Sequence, residues 1–585
     1  MTLHRPRFSF ALLAVSICFS AAQAKTLVVN PALKAANDAN PGTEAQPFRT
    51  IGRAAALVQP GDTVRIYSGL YREAVVIKQS GTKDKPIRFE AAPGATVIVT
   101  GADRITDWKR ESGDGNLFSA EWPHPASRTH PNDDYHLLIG RPEQVFVQGY
   151  LLRLVPSKDK LTRGTFWIDG ASRRLWAQSL EDRDLSAKSS IVEVSVRPLL
   201  WSVEGAYVDV RGLRFRWASN HAQSGAAAFT GRGDVVEDCV FERNNGAGAK
   251  FAAEDIVVRR SEFSENGQLG FSANHAHHLL LSECLIRENN VKNFSRGWEA
   301  GGNKLVMCRG VVIERCTFSG NHGSGIWFDI GNEDSTVRQC LIENNQDGGI
   351  FYEISFGLHA HDNVIIGNGL ADTPGAWGSQ AGINLSSSPG CVIERNLLIG
   401  NREGFDFREQ RRTTKRIGGD REEPVWNHDQ TIRNNVIAYN VSAQVAGWFD
   451  VADERCWPRS LQQATHDTKA PAEDLAGKYG AKTMQGQPTG LSLEALNLKF
   501  ASNLFARYPG QSLVQWGATW KHHRIYQNLP DVRADLKLDT DSIEADLPFA
   551  DATIRDFRLP ADHPALRLKC MPEGPIPGVQ LGAIR

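Results

Sequence analysis

Neither sign of charge dominates this sequence: 66 basic residues face 67 acidic ones among 585. Without a basic surplus, nucleic acid and anionic membrane surfaces are poor partners. Long apolar runs are missing too. Beyond the first few tens of residues no stretch is long and apolar enough to span a bilayer, so no membrane insertion is expected. Cysteine is scarce, with nine in the whole chain. His359 and His361 share one strand face but have no third ligand at a fixed spacing, so no metal is expected. Glycine, by contrast, is abundant at 53 residues, and with many Asn and modest hydrophobicity it points to a turn-rich β protein.

The N-terminus has the form of a secretory signal. His4, Arg5 and Arg7 make a charged region, Phe8 to Phe19 an apolar one, and Ala22-Gln23-Ala24 a small-x-small cleavage site. Residues 1–24 are therefore expected to be removed, leaving a secreted or periplasmic chain from near Lys25. Cys18 lies inside the apolar region without a lipoprotein context. The other eight cysteines could pair in an exported protein, but the repeat below gives several of them another place.

Residues 25–104 read as an N-terminal cap with the first solenoid coils. Thr50 to Val58 is a short helical run that could close the open end of a stack. The repeat signal disappears over 105–198, where short strands and tight turns predict an inserted β module. Over 199–450 a pattern dominates: Cys, Ser or Asn, then x, an apolar residue, two more positions, and Asn. It begins at Cys239, Ser261, Cys284, Cys316, Cys340, Asn363, Asn396 and Asn435, with four of the steps spanning 22 to 24 residues. Such coils bury little alone and gain a core by stacking. The cysteines at this phase read as small buried residues in a ladder, not as metal ligands. Residues 451–496 read as an irregular insertion, and 497–585 as a last coil and C-terminal cap, with the tail from Pro548 covering the end of the stack. The expected class is all-β, a parallel β-helix, and a monomer.

The most informative stretches are Gly325-Ile326-Trp327-Phe328-Asp329-Ile330 and Gly349-Ile350-Phe351-Tyr352-Glu353-Ile354, one repeat apart. Strand side chains alternate between faces. Ile326, Phe328 and Ile330 belong inside, as do Ile350, Tyr352 and Ile354. Trp327 and Asp329 then share the outer face with Phe351 and Glu353. Further coils add Asn384, Asp406 and Arg408 to the same strip. Parallel strands lie about 4.8 Å apart, near the roughly 5–5.5 Å between the carboxyl groups of retaining glycosidases. Like charges this close keep one member protonated. A solvated acidic step or a Ca²⁺ site is the bland alternative.

These segments, with Trp298-Glu299-Ala300-Gly301-Gly302-Asn303-Lys304, resemble secreted bacterial right-handed parallel β-helix proteins, among them the β-xylosidase and α-fucosidase-like groups of glycoside hydrolases. In the β-xylosidase group an Asp ending a Trp-x-Asp strand is the nucleophile and a Glu about one coil later the acid/base. Asp329 and Glu353 match those positions. The resemblance implies a carbohydrate substrate and no cofactor. Glu299, Lys304, Trp298, Trp327, His322, Asn384, Asp406 and Arg408 are the candidate substrate contacts. Gly301-Gly302 implies a bulge or close backbone approach. Arg408, Arg411, Arg412, Lys415 and Arg416 read as a solvated run that begins on the active strip. The same scaffold also carries lyases and uronate epimerases, with Lys304 or Arg408 as base and often Ca²⁺, and non-catalytic glycan binders.

Overall fold

The computed structural model describes residues 24–111, 116–125, 138–371, 380–409, 412–449, 496–518 and 522–584. The expected signal segment except its last residue, the insertion expected over 451–496 except its last residue, Trp377 (a candidate to stack on a sugar ring) and Arg411 lie outside the described residues. The rest is an all-β, right-handed parallel β-helix. Three sheets of 13 strands run the length of the stack, and each coil contributes one strand to each sheet. Among the described residues of these three sheets, only the last strand of one of them, His522–Tyr526, is antiparallel to its neighbour.

Inward side chains form rows along the axis. Phe215, Phe241 and Phe263 stack at 5.0 and 4.8 Å between ring centroids. At one turn the closing asparagines form the expected ladder. The Asn266 amide donates to Asn289 at 3.0 Å, Asn289 to Asn321 at 2.9 Å, and Asn321 to Asn345 at 2.8 Å. Each of these amides also donates to a backbone carbonyl, as Asn289 does to Phe263 at 2.9 Å. A second turn carries the cysteine row. Cys239 N–H donates to Ser261, Cys284 N–H to Cys316 Sγ at 3.3 Å, and Cys340 N–H to Asn363. Cys239, Cys284, Cys316 and Cys340 are buried free thiols. Burial pushes the Cys239 thiol up to about 12, so the row is chemically quiet.

Between Ala102 and Ser195 the chain leaves the stack and builds a four-stranded and a five-stranded sheet. This part has its own apolar core around Trp108, Phe118, Trp122, Phe166 and Leu175. It is tied to the helix by Phe146, stacked 4.1 Å from Trp217. At the N-terminal end a helix over Ile51–Ala55 is capped by Thr50.

The C-terminal tail departs from expectation. The helix Leu529–Leu536 packs into the main core beyond the last coils, whereas residues from Leu547 onward turn back along the outside of the third sheet. There Leu547, Phe557, Leu559 and Met571 cover Leu341, Val364, Leu397 and Val436. Arg555 reaches Glu343 at 2.7 Å. The reason is an outward apolar stripe on four successive coils, which water would otherwise meet.

Candidate active site

Five neighbouring strands of one sheet build the site: Gly301–Val306, Ile326–Asp329, Ile350–Glu353, Ala381–Ser386 and Glu403–Glu409. Leu305 pairs with Phe328, and Trp327 with Phe351. Carrying those registers one residue either way sets Lys304 level with Trp327 and Asp329 level with Glu353. Phe351 is then level with Asn384, Glu353 with Ser386, and these with Asp406 and Arg408. Two lanes result, one of Lys304, Trp327, Phe351, Asn384 and Asp406, the other of Asp329, Glu353, Ser386 and Arg408.

Close stacking at the start of the sheet depends on Gly301. Its φ is +124°, and a Cβ there would lie 2.5 Å from the Ser324 carbonyl oxygen. Only glycine takes that backbone at no steric cost. The short helix Arg296–Glu299 precedes it and carries Trp298 to the cavity, while Glu299 is buried and does not line it.

A cavity of about 230 Å³ opens over the two carboxylates. Asp329, Glu353, Trp327 and Phe351 line it from the sheet, Arg296 and Trp298 from the short helix, and Lys304 and Arg412 from either side. Each carboxylate has its own cation. Lys304 Nζ lies 3.0 Å from Asp329 and 3.9 Å from Glu299, and donates to the Trp298 carbonyl at 3.0 Å. Arg408, fully buried, lies 3.1 Å from Glu353, and Arg412, a third exposed, 3.5 Å from the same oxygen. Burial, then the Asp329 charge, holds the Glu353 carboxyl above its usual range against the pull of Arg408, Arg412 and Lys304. Burial likewise raises Glu299, opposed first by Lys304 and then by the Gln223 amide, which donates to it at 2.6 Å.

Not every expected contact reaches the cavity. Arg408 sits beneath Glu353, where it holds Ser386 Oγ at 3.2 Å. Asn384 donates to Asp406 at 2.7 Å, and neither lines the cavity. Burial, then Glu403, pushes Asp406 well above the ordinary carboxylate range. His322 is also absent from the lining; its backbone bonds to Asn289 and Asn290. Trp327 is present but 5 % exposed. Lys304 lies 4.3 Å over its ring on one coil and Phe351 5.3 Å away on the next. Its faces are thus taken by protein, and it offers no open ring to a sugar. Ile330 departs from the inward phase: its φ is +42° and it is 41 % exposed at the cavity edge. The strand ends at Asp329, so alternation stops there.

The described part of the arginine run stays partly solvated at Lys415 and Arg416, but it is not all loop. Strands Arg412–Lys415 and Glu422–Val425 form an antiparallel hairpin that stands beside the cavity. Its connecting turn is clamped by buried Glu333, which accepts from Arg309 and Arg416 at 2.8 Å each and from Ile417 N–H at 2.8 Å. Although burial opposes it, these donors, Arg416 foremost, bring the Glu333 carboxyl down to about 2. A basic run over 408–416 followed by Gly418-Gly419 and the acids Glu422 and Glu423 was the available signal; the pairing of Glu333 with residues more than 80 positions away was not. His359 and His361 pair with Glu394 and Asp362 at 3.1 and 2.6 Å. Among the described residues no group of three or more His, Cys, Asp or Glu side chains is arranged to hold a metal ion.

Comparison with known proteins adds the fold and little more. The family described as "Right handed beta helix region" matches residues 203–398, and "Protein of unknown function (DUF1565)" matches 34–78. An uncharacterized protein, YwoF of Bacillus subtilis (strain 168), is 33% identical over 98 residues, which is 17% of this chain and 18% of that protein. Among solved structures, the complex of XylC with xylose is similar over 90% of this chain and 87% of its own, at 17% identity and a TM-score of 0.64. A structure described as a glycoside hydrolase is similar over 73% of this chain and 95% of its own, at 14% identity and a TM-score of 0.46.

Proposed function

We propose that this protein is a carbohydrate-active enzyme, a retaining glycoside hydrolase exported to the periplasm or medium and active as a monomer. The observation that carries the reading is the pair Asp329 and Glu353, level on adjacent strands, in one cavity, with unlike surroundings. Asp329, held by Lys304, would attack the anomeric carbon. Glu353, kept above its usual range by burial and by Asp329, would protonate the departing oxygen and then activate water. Arg408, itself bonded to Ser386, holds Glu353 in place, Glu299 holds Lys304, and Trp298 at the rim would meet the sugar. The likeness to a xylose-bound protein supports a sugar ligand without naming the sugar.

A lyase or uronate epimerase would need Lys304 or Arg408 as base. Lys304 lines the cavity but is engaged as a donor to Asp329 and to a carbonyl, and Arg408 is sealed beneath Glu353 and off the lining, so neither is placed to take a substrate proton. A glycan panel read for new reducing ends and for unsaturated products tests the choice. Reducing ends released with anomeric configuration retained are expected. Unsaturated products, or tight binding without turnover, would overturn the hydrolase reading.

A further inference from the structure

A second and larger concavity lies where the inserted β module meets the outer side of the helix. Its volume is about 710 Å³. The module contributes Gln144, Gln148 and Tyr150; the coil turns contribute Arg216, Trp217 and Arg243. Tyr150 is 64% exposed there.

The charges around it do not balance. Glu193 is taken by Arg72, Glu242 by Arg214 at 2.9 Å, and Glu265 by Arg243 at 2.9 Å. Arg216 is the surplus cation. Its guanidinium lies 4.0 Å over the Trp217 ring, which is itself braced by Phe146. Its buried Nε–H has no acceptor, and among the described residues no carboxylate lies within ion-pair distance of it. A half-buried guanidinium loses hydration, and here Glu242 and Glu193, each held by another arginine, offset that loss only from beyond ion-pair distance. Stacking on an indole orients its planar fork while leaving the terminal nitrogens, unlike the buried Nε, for a carboxylate. An exposed tyrosine beside glutamine amides is suited to a sugar ring and its hydroxyls.

We propose that this groove is a second carbohydrate site that takes a uronate-bearing saccharide, with Arg216 gripping the carboxylate and Tyr150 packing on the ring. The chain runs from Val291, in the groove wall, into Arg296, in the wall of the catalytic cavity. Only five positions of chain separate the two walls.

The test is binding of a short oligogalacturonate to the D329N/E353Q double variant, followed by calorimetry and by the indole N–H signals. Turnover is removed, so failure here leaves the hydrolase reading standing, and failure of that reading leaves this one. Binding that moves the Trp217 signal is expected, with affinity falling about tenfold or more in Arg216→Gln and for the methyl-esterified oligosaccharide. Tyr150→Ala, at an exposed position, should weaken binding without altering melting, which keeps the test open should Arg216→Gln fold poorly. Equal affinity for the ester, unchanged binding by Arg216→Gln, movement at Trp327 instead of Trp217, or no binding at all would overturn the proposal.

Discussion

The asparagine ladder and the site strip are both rows of buried polar side chains on successive coils, yet they are built on opposite rules. In the ladder, Asn266, Asn289, Asn321 and Asn345 each give and accept along the stack and also bond a backbone carbonyl. In the strip, Asp329, Glu353 and Lys304 face a cavity, Asp406 off its lining keeps one oxygen without a partner, and the Trp327 indole N–H has none. A buried polar group fully paired within the fold stabilises it. One left charged against an open cavity lowers stability and is available for chemistry.

Breaking the strip should abolish function and spare the fold. Asp329→Asn and Glu353→Gln are each expected to cut turnover by about 10²–10⁴-fold or more. Asp329→Asn should melt close to the parent. Glu353→Gln should melt lower, because Arg408 loses its charged partner in a fully buried position. Near-normal turnover in either variant would remove the pair from the mechanism. Breaking the ladder should do the reverse. Asn289→Ala strands donors and acceptors on both neighbouring coils and should cost on the order of 3 kcal/mol, read from the urea midpoint. Its turnover per folded molecule should be unchanged.

Two smaller effects sharpen the contrast through pH. The Glu353 acid works protonated, so activity falls as pH rises through its raised value. Arg412 pulls that value down. Arg412→Ala should therefore move the basic limb of kcat/KM to higher pH, and a limb that stays put would show that Arg412 does not act on Glu353. Glu333 is the opposite case, a carboxyl depressed from 4.5 to about 2. Its contribution to stability is full above 4.5 and is lost as pH falls through about 2. Glu333→Gln should flatten the loss of stability in that acid window, and an unaltered melting profile would mean the clamp is inert.

Much of the fold was legible because a solenoid writes each coil into the chain. Recurrent Asn at one turn and Cys or Ser at another mark positions where stacked side chains must bond their own kind, and apolar alternation in 326–329 and 350–353 marks the inner face. The same local rule failed where chain geometry ended it. Ile330 keeps the inward phase on paper, but the strand stops at Asp329 and a left-handed turn throws it outward. It also failed for the tail, since nothing local to residues 547–576 says that they fold back on Leu341 and Val364.

The sequence by itself determined that Asp329 and Glu353 lie level on adjacent strands of a sheet, because a register of whole coils follows from the repeat. Only the tertiary structure decided what surrounds them. Lys304 reaches Asp329 diagonally, not along its own lane; Arg408 and Arg412 come from a strand and a hairpin more than 50 residues onward; and Glu333 fixes that hairpin from a distant turn. Register is a one-dimensional property that local periodicity can carry. Burial, charge balance and the state of a carboxyl depend on every segment that closes over it, and those segments are brought together only by the fold.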